Sequence, residues 1–180
     1  ADAARTFPVG QVTPVAEKLL DVTKESLFKA VEQCVPGNAL GDISHAVQQH
    51  VEGQGFSVVR SLVGHGVGRS YHEDPHIPNF GAPGRGPRLA EGMTIAIEPM
   101  ITAGTSEVLV ADDGWTISTA DGSTSAHFEH TVAITADGPE ILTRSPGHPA
   151  LACGAPSLWR SARYSGTLPR VAVAICRKRT

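Results

Sequence analysis

Aromatic residues are scarce in this chain of 180 residues, which has five Phe, two Trp and two Tyr. Any aromatic ring placed beside polar chemistry is therefore informative. Cysteine is scarcer still. The three present, Cys34, Cys153 and Cys176, are odd in number and far apart, which speaks against a disulfide framework or a zinc knuckle and points to a reducing, cytoplasmic setting. Cys34 falls in a helical pattern and reads as a small buried apolar residue. No apolar run approaches the ~20 residues of a membrane span. No apolar leader opens the chain, because Asp2, Arg5 and Pro8 stand where one would be. Acid is absent after Glu140. From Arg144 onward there are six Arg, one Lys and no acid, a charge of +7; the body before it has 8 basic against 18 acidic residues, or −10, which together make the formal net charge of −3. An acidic body argues against nucleic acid as the main partner.

What is present suits one soluble domain. The apolar fraction is 41%, and this length can bury a core of its own. Thr13-Pro14 predicts a helix start, with Thr as cap and Pro in the first turn. Val15, Leu19, Val22, Leu27, Ala30 and Val31 continue at helical spacing until Pro36-Gly37. A second helix is expected over 40–52, with Leu40, Ile43, Val47 and Val51 on one face and Gly53 and Gly55 closing it. Strands are expected over 56–59, 93–97, 115–119 and 125–135. In the last, Ala126, Phe128, His130, Val132 and Ile134 face one way, and His127, Glu129, Thr131 and Ala133 the other. Asp137-Gly138 signals a hairpin before Glu140-Ile141-Leu142. The Gly- and Pro-dense stretch 64–88 reads as an ordered loop or a set of short irregular strands. One folded region over 1–143 is therefore expected, followed by a tail over 144–180 that is disordered or foreign to it. In the tail only 171–175 resembles a strand.

Four residues can supply metal chemistry. His65 lies between Gly64 and Gly66, and glycine permits sharp bends and close approach. Taken alone it reads as a loop histidine. Glu98 is bounded by Ile97 and Pro99, so its carboxylate is expected to be partly desolvated and hence paired, protonated or metal-bound; an ion pair with Arg69 is the plain alternative. Glu129 at mid-strand would be unremarkable on a solvated face. Asp2 by itself carries no signal. The joint occurrence of an imidazole and carboxylates in one short domain is what favours a divalent cation. His72-Glu73-Asp74-Pro75-His76 matches the letters of a zincin motif, but Pro75 and Pro78 forbid the helix that would put both histidines on one face. His76 is therefore expected to be exposed.

Taken in order, these pieces resemble type I methionine aminopeptidases of the bacterial kind. The resemblance is carried by Asp2 with Thr6-Phe7-Pro8-Val9-Gly10, by 64–69 (GHGVGR), by 72–80 (HEDPHIPNF), by 91–100 (EGMTIAIEPM) and by 125–131 (SAHFEHT). It covers 1–143 and implies the C-terminal portion of such an enzyme, with the N-terminal half missing and little turnover expected from this chain alone. It implies an α/β (α+β) pita-bread fold with a curved antiparallel sheet flanked by helices. It implies two divalent ions per site, cobalt, manganese, iron or zinc, with Asp2, His65, Glu98 and Glu129 as metal ligands. Glu98 would also accept the proton, and His72 would meet the scissile peptide and its oxyanion. Tyr71 and Trp115 would line the pocket for the methionine side chain. The implied partners are the N-terminal methionine of nascent polypeptides and the ribosome, with no nucleic acid and no membrane; the complete enzyme would be a cytoplasmic monomer. A proline-specific aminopeptidase or creatinase relative shares these ligands. A non-catalytic binding module on the same fold is the alternative from another class.

Overall fold

The computed structural model describes residues 1–144 and the short strand 172–174. The chain runs β1 (Ala3–Phe7), α1 (Pro14–Glu32), α2 (Leu40–Gly53), β2 (Ser57–Val58), β3 (Val63–Gly66), β4 (Glu73–Pro78), β5 (Thr94–Ile97), β6 (Met100–Thr102), β7 (Val108–Val110), β8 (Ile117–Thr119), β9 (Ser125–Thr135), β10 (Gly138–Ile141) and β11 (Ala172–Ala174).

Both helices form where local signals place them. The Thr13 hydroxyl accepts from Ala16 N at 3.2 Å and caps α1. At the start of α2 the Asp42 carboxylate accepts from Ala39 N at 2.7 Å, which satisfies a donor that the helix itself leaves open. Leu19, Leu27 and Val31 of α1 and Ile43, Val47 and Val51 of α2 are buried in one apolar cluster. Phe128, Val132 and Ile134 of β9 join that cluster from the sheet. Burying each such side chain is worth about 1.5–3 kcal/mol, so this face docks the helices.

The main sheet is antiparallel throughout its described pairings. Its path is β11-β1-β9-β5-β3-β4, with β10 and β6 also on β9 and β2 on β6. The 11-residue β9 is the hub, paired with β1, β5, β6 and β10. A two-residue turn joins β9 to β10, with Thr135 opposite Gly138 at φ 113°, a backbone state that favours glycine. The segment 64–88 resolves into short strands: β4 is extended through Pro75, so the zincin reading fails for the expected reason. His76 is exposed.

Three strands, β1, β6 and β7, are additional to those expected. In β1 the buried positions are the small residues Ala4 and Thr6, while the one large apolar residue, Phe7, faces out. The alternation is there, but its hydrophobic sense is inverted. In β11, Ala172–Ala174 runs antiparallel to β1 within the 171–175 stretch read as a strand. The remainder of the tail assigned to 144–180 lies outside the described residues. Among the described residues no helix is long and apolar enough to cross a membrane.

Candidate metal centre

The sheet order brings together side chains that are far apart in sequence. The adjacent strands β1, β9, β5 and β3 carry, in turn, Asp2 at an entrance, Glu129 at a centre, Glu98 at an exit and His65 within. Glu129 sits on the face of β9 opposite the helix-packing residues. That face is not solvated at mid-strand: Glu129 and Thr131 are 4% and 1% exposed. Such burial makes a cation or another close partner necessary for a charged carboxylate.

His65 owes its place to its glycines. A Cβ on Gly64 would collide with the Ala96 carbonyl oxygen of β5, and one on Gly66 with the Asp74 carbonyl oxygen of β4. The glycines thus let β3 lie tightly between its neighbours, and His65 pairs with Ala96. The ring is buried, and its Nδ1 lies 2.9 Å from the Gly66 carbonyl oxygen. A carbonyl can only accept, so Nδ1 carries the proton and Nε2 presents its lone pair to the site.

Asp2 is anchored through its backbone. Its N–H donates to the Thr131 hydroxyl at 2.7 Å, and that hydroxyl donates to the Asp2 carbonyl at 2.8 Å. One ligand atom each from Asp2, His65 and Glu129 all lie within 4.8 Å of one another. Cations bind oxygen and nitrogen at about 2.0–2.2 Å, so the donors of one ion lie at most about 4.4 Å apart, a spacing close to that of this trio. Glu98 joins through His65, its Oε1 3.7 Å from Nε2. Its backbone carbonyl accepts from Asn79 Nδ2 at 3.0 Å. Arg69 is exposed, and Glu98 meets His65 and His127 in its place.

The electrostatics at Glu98 are those of a buried acid. Desolvation pushes its carboxyl up to about 8, and the Asp2 charge adds to the effect. Across from it, His127 Nε2 lies 3.7 Å from Glu98 Oε2. Burial holds the His127 imidazole down at about 4, with Asp2 opposing. These separations exceed a hydrogen bond, and at neutral pH burial favours the protonated acid and the neutral ring. The contacts are therefore proximity within a ligand cluster rather than established ion pairs.

The rings expected to meet substrate flank this cluster. His72 packs edge-on against His65, with centroids 4.0 Å apart, and Tyr71 packs edge-on against His72 at 4.5 Å. The Tyr71 hydroxyl also donates to the Asp2 carboxylate. Tyr71 thus holds a candidate ligand, a contact that sequence reasoning did not foresee. His65 and His72 line a cavity of about 670 Å³ with Leu62, Val63, Asp74 and His76. Trp115 is placed differently. It stands in the turn between β7 and β8, a separate two-stranded sheet, and is 70% exposed. Asp113 shapes that turn by accepting from Trp115 N and Thr116 N at 2.9 and 2.8 Å. Asn79, Thr131 and His127 also went unassigned. For His127 and Thr131 the signal was available, since both share a face of β9 with Glu129.

A profile of metallopeptidase family M24 matches residues 1–136. The chain belongs to this family. Its fold is the family's pita-bread fold, and a divalent-metal centre is the family's hallmark. The chain is 59% identical over 143 residues to a methionine aminopeptidase of Clostridium perfringens, covering 79% of this chain and 57% of the relative. It is 54% identical to methionine aminopeptidase 1 of Bacillus subtilis, covering 79% and 58%. The crystal structure of methionine aminopeptidase from Thermotoga maritima superposes with a TM-score of 0.76 at 53% identity, over 77% of this chain and 56% of that one. The chain therefore spans little more than half the length of these relatives. The donor set fits the metals of the family: carboxylate oxygens and one imidazole whose Nε2 lone pair is aimed inward.

Proposed function

We propose that residues 1–143 form part of the catalytic domain of a methionine aminopeptidase, whose activity is metal-dependent removal of the N-terminal methionine from new proteins and is impaired in this chain alone. The observation that carries the reading is the convergence of Asp2, His65 and Glu129 within 4.8 Å. Asp2, His65, Glu98 and Glu129 would hold divalent ions, two per site in the complete enzyme, drawn from cobalt, manganese, iron and zinc. When bound, such ions would supply an activated water and polarise the first peptide carbonyl.

The protein's own groups do the rest. Glu98 accepts a proton and hands it to the leaving amine; its desolvated setting brings its proton affinity near neutrality, where a shuttle works best. His72, exposed at the cavity rim, donates to the oxygen on which charge develops. Tyr71 orients Asp2 and borders the methionine side chain. The substrate is the N-terminal methionine of a nascent polypeptide, met near the ribosome in the cytoplasm.

Metal uptake tests this reading directly. The 180-residue chain, stripped with chelator, is titrated with Co(II) or Mn(II) by calorimetry. Saturable uptake is expected, with at least a 100-fold loss of affinity in His65→Ala. No uptake by a version restored to the length of its relatives would favour the non-catalytic binding module. Because this chain alone is expected to turn over little, the substrate test uses this region joined to the remaining length that its relatives carry: release of free methionine from a Met-Gly-leading peptide, with no cleavage of an Ala-Pro-leading one, separates this reading from a proline-specific relative.

A further inference from the structure

The mechanism leaves one buried group at the site unused. His127 Nε2 is shielded from solvent and has no hydrogen-bond partner among the described residues. Buried polar atoms are nearly always satisfied, so such an atom needs a partner that completes it in the working protein. It faces Glu98 Oε2 at 3.7 Å. The other oxygen of the same carboxylate, Oε1, lies 3.7 Å from His65 Nε2. Glu98 is thus bracketed by two imidazoles, one on each oxygen, and only His65 belongs to the cluster that converges with Asp2 and Glu129.

The two sides of this contact are anchored differently. The His127 backbone is clamped: its N–H donates to the Thr6 hydroxyl at 2.9 Å, and that hydroxyl donates to the His127 carbonyl at 2.9 Å. Met100 of β6 pairs with it on the other side. Glu98, by contrast, follows the last residue of β5 and reaches the site on a flexible side chain. Closing the gap by about 0.8 Å, a side-chain rotation of Glu98, converts the contact into a hydrogen bond.

We propose that His127 is a positioning residue for Glu98: its Nε2–H donates to Oε2 and keeps Oε1 turned toward His65 and the cation they share. This rests on the metal-centre reading above. A carboxylate that binds a cation through one oxygen is oriented by a donor on the other, and loss of such a donor characteristically weakens metal binding 10–100-fold.

The test uses the full 180-residue chain and Co(II) titrated by calorimetry. His127→Phe keeps a planar ring but removes the donor; His127→Gln keeps an N–H of similar reach. Far-UV circular dichroism checks folding, and His127→Leu stands in should the Phe variant fail to fold. The expected result is a 10–100-fold weaker Co(II) affinity in the Phe or Leu variant and recovery to within about threefold of the parent in the Gln variant. Parent-like affinity in the Phe or Leu variant would show that the ring only packs, and overturn the proposal. So would a Gln variant as weak as Phe. A parent that takes up no Co(II) defeats the metal centre itself, an outcome distinct from either of these.

Discussion

Replacing Glu98 with Gln should change how stability depends on pH when the ions are stripped away. In the folded protein burial raises the Glu98 carboxyl from 4.5 to about 8. A raised acid contributes stability that is fully present below 4.5 and is lost as pH climbs through about 8. At about 1.4 kcal/mol per pH unit the whole window is worth about 5 kcal/mol. About 2 kcal/mol of that falls above pH 6.5. With 15% of the side chain still open to solvent, about 1–2 kcal/mol is the realistic loss between pH 6.5 and 8.5. His127 does not blur this range. Its folded value is depressed from 6.5 to about 4, so its contribution is present above 6.5 and is lost only on acidification. The assay is urea unfolding in chelator at pH 6.5, 7.5 and 8.5. The parent should lose stability across the series and Glu98→Gln should stay flat. Saturating Co(II) should abolish the parent's loss and add about 2.7 kcal/mol at a hundredfold excess over the dissociation constant. Equal slopes in parent and variant would refute the assignment of a desolvated carboxyl at this position.

Other outcomes follow from the packing around the site. Gly66→Ala forces a Cβ against the Asp74 carbonyl oxygen and should cost about 3 kcal/mol in urea unfolding, with metal uptake lost as His65 is displaced. Thr131→Val removes both bonds that tie Asp2 to β9; a loss of about 1–2 kcal/mol is expected, with weaker Co(II) uptake by calorimetry and little change in far-UV circular dichroism. The Cys34 thiol, fully buried and pushed up to about 12, should resist iodoacetamide at pH 8 until urea unfolds the protein, as followed by peptide mass spectrometry.

The elements with local causes were legible in the chain. Thr13-Pro14 announces α1, the spacing from Leu40 to Val51 announces α2, and the alternation over 125–135 matches β9 from end to end. Each depends on contacts within a few residues, and periods of 3.6 and 2 are written directly into the sequence. Alternation even put His127, Glu129 and Thr131 on one face. It could not say that this face is buried, and so a solvated Glu129 remained the plain reading. β1 was hidden because small residues face inward and Phe7 faces out.

Sequence alone determined the donor types, the exclusion of a zincin helix by Pro75, and the family that the ordered motifs resemble. Only the tertiary structure decided which donors meet. Asp2 is held by Thr131 across 129 positions, a register that no local signal encodes. Strand order turns four distant residues into neighbours, and the paired backbone around Gly64 and Gly66 sets which nitrogen of His65 faces inward. The physical reason is range: dihedral preference and periodicity act over a turn or a pleat, whereas a ligand cluster exists only once sheet pairing and burial have chosen a single arrangement of the whole chain.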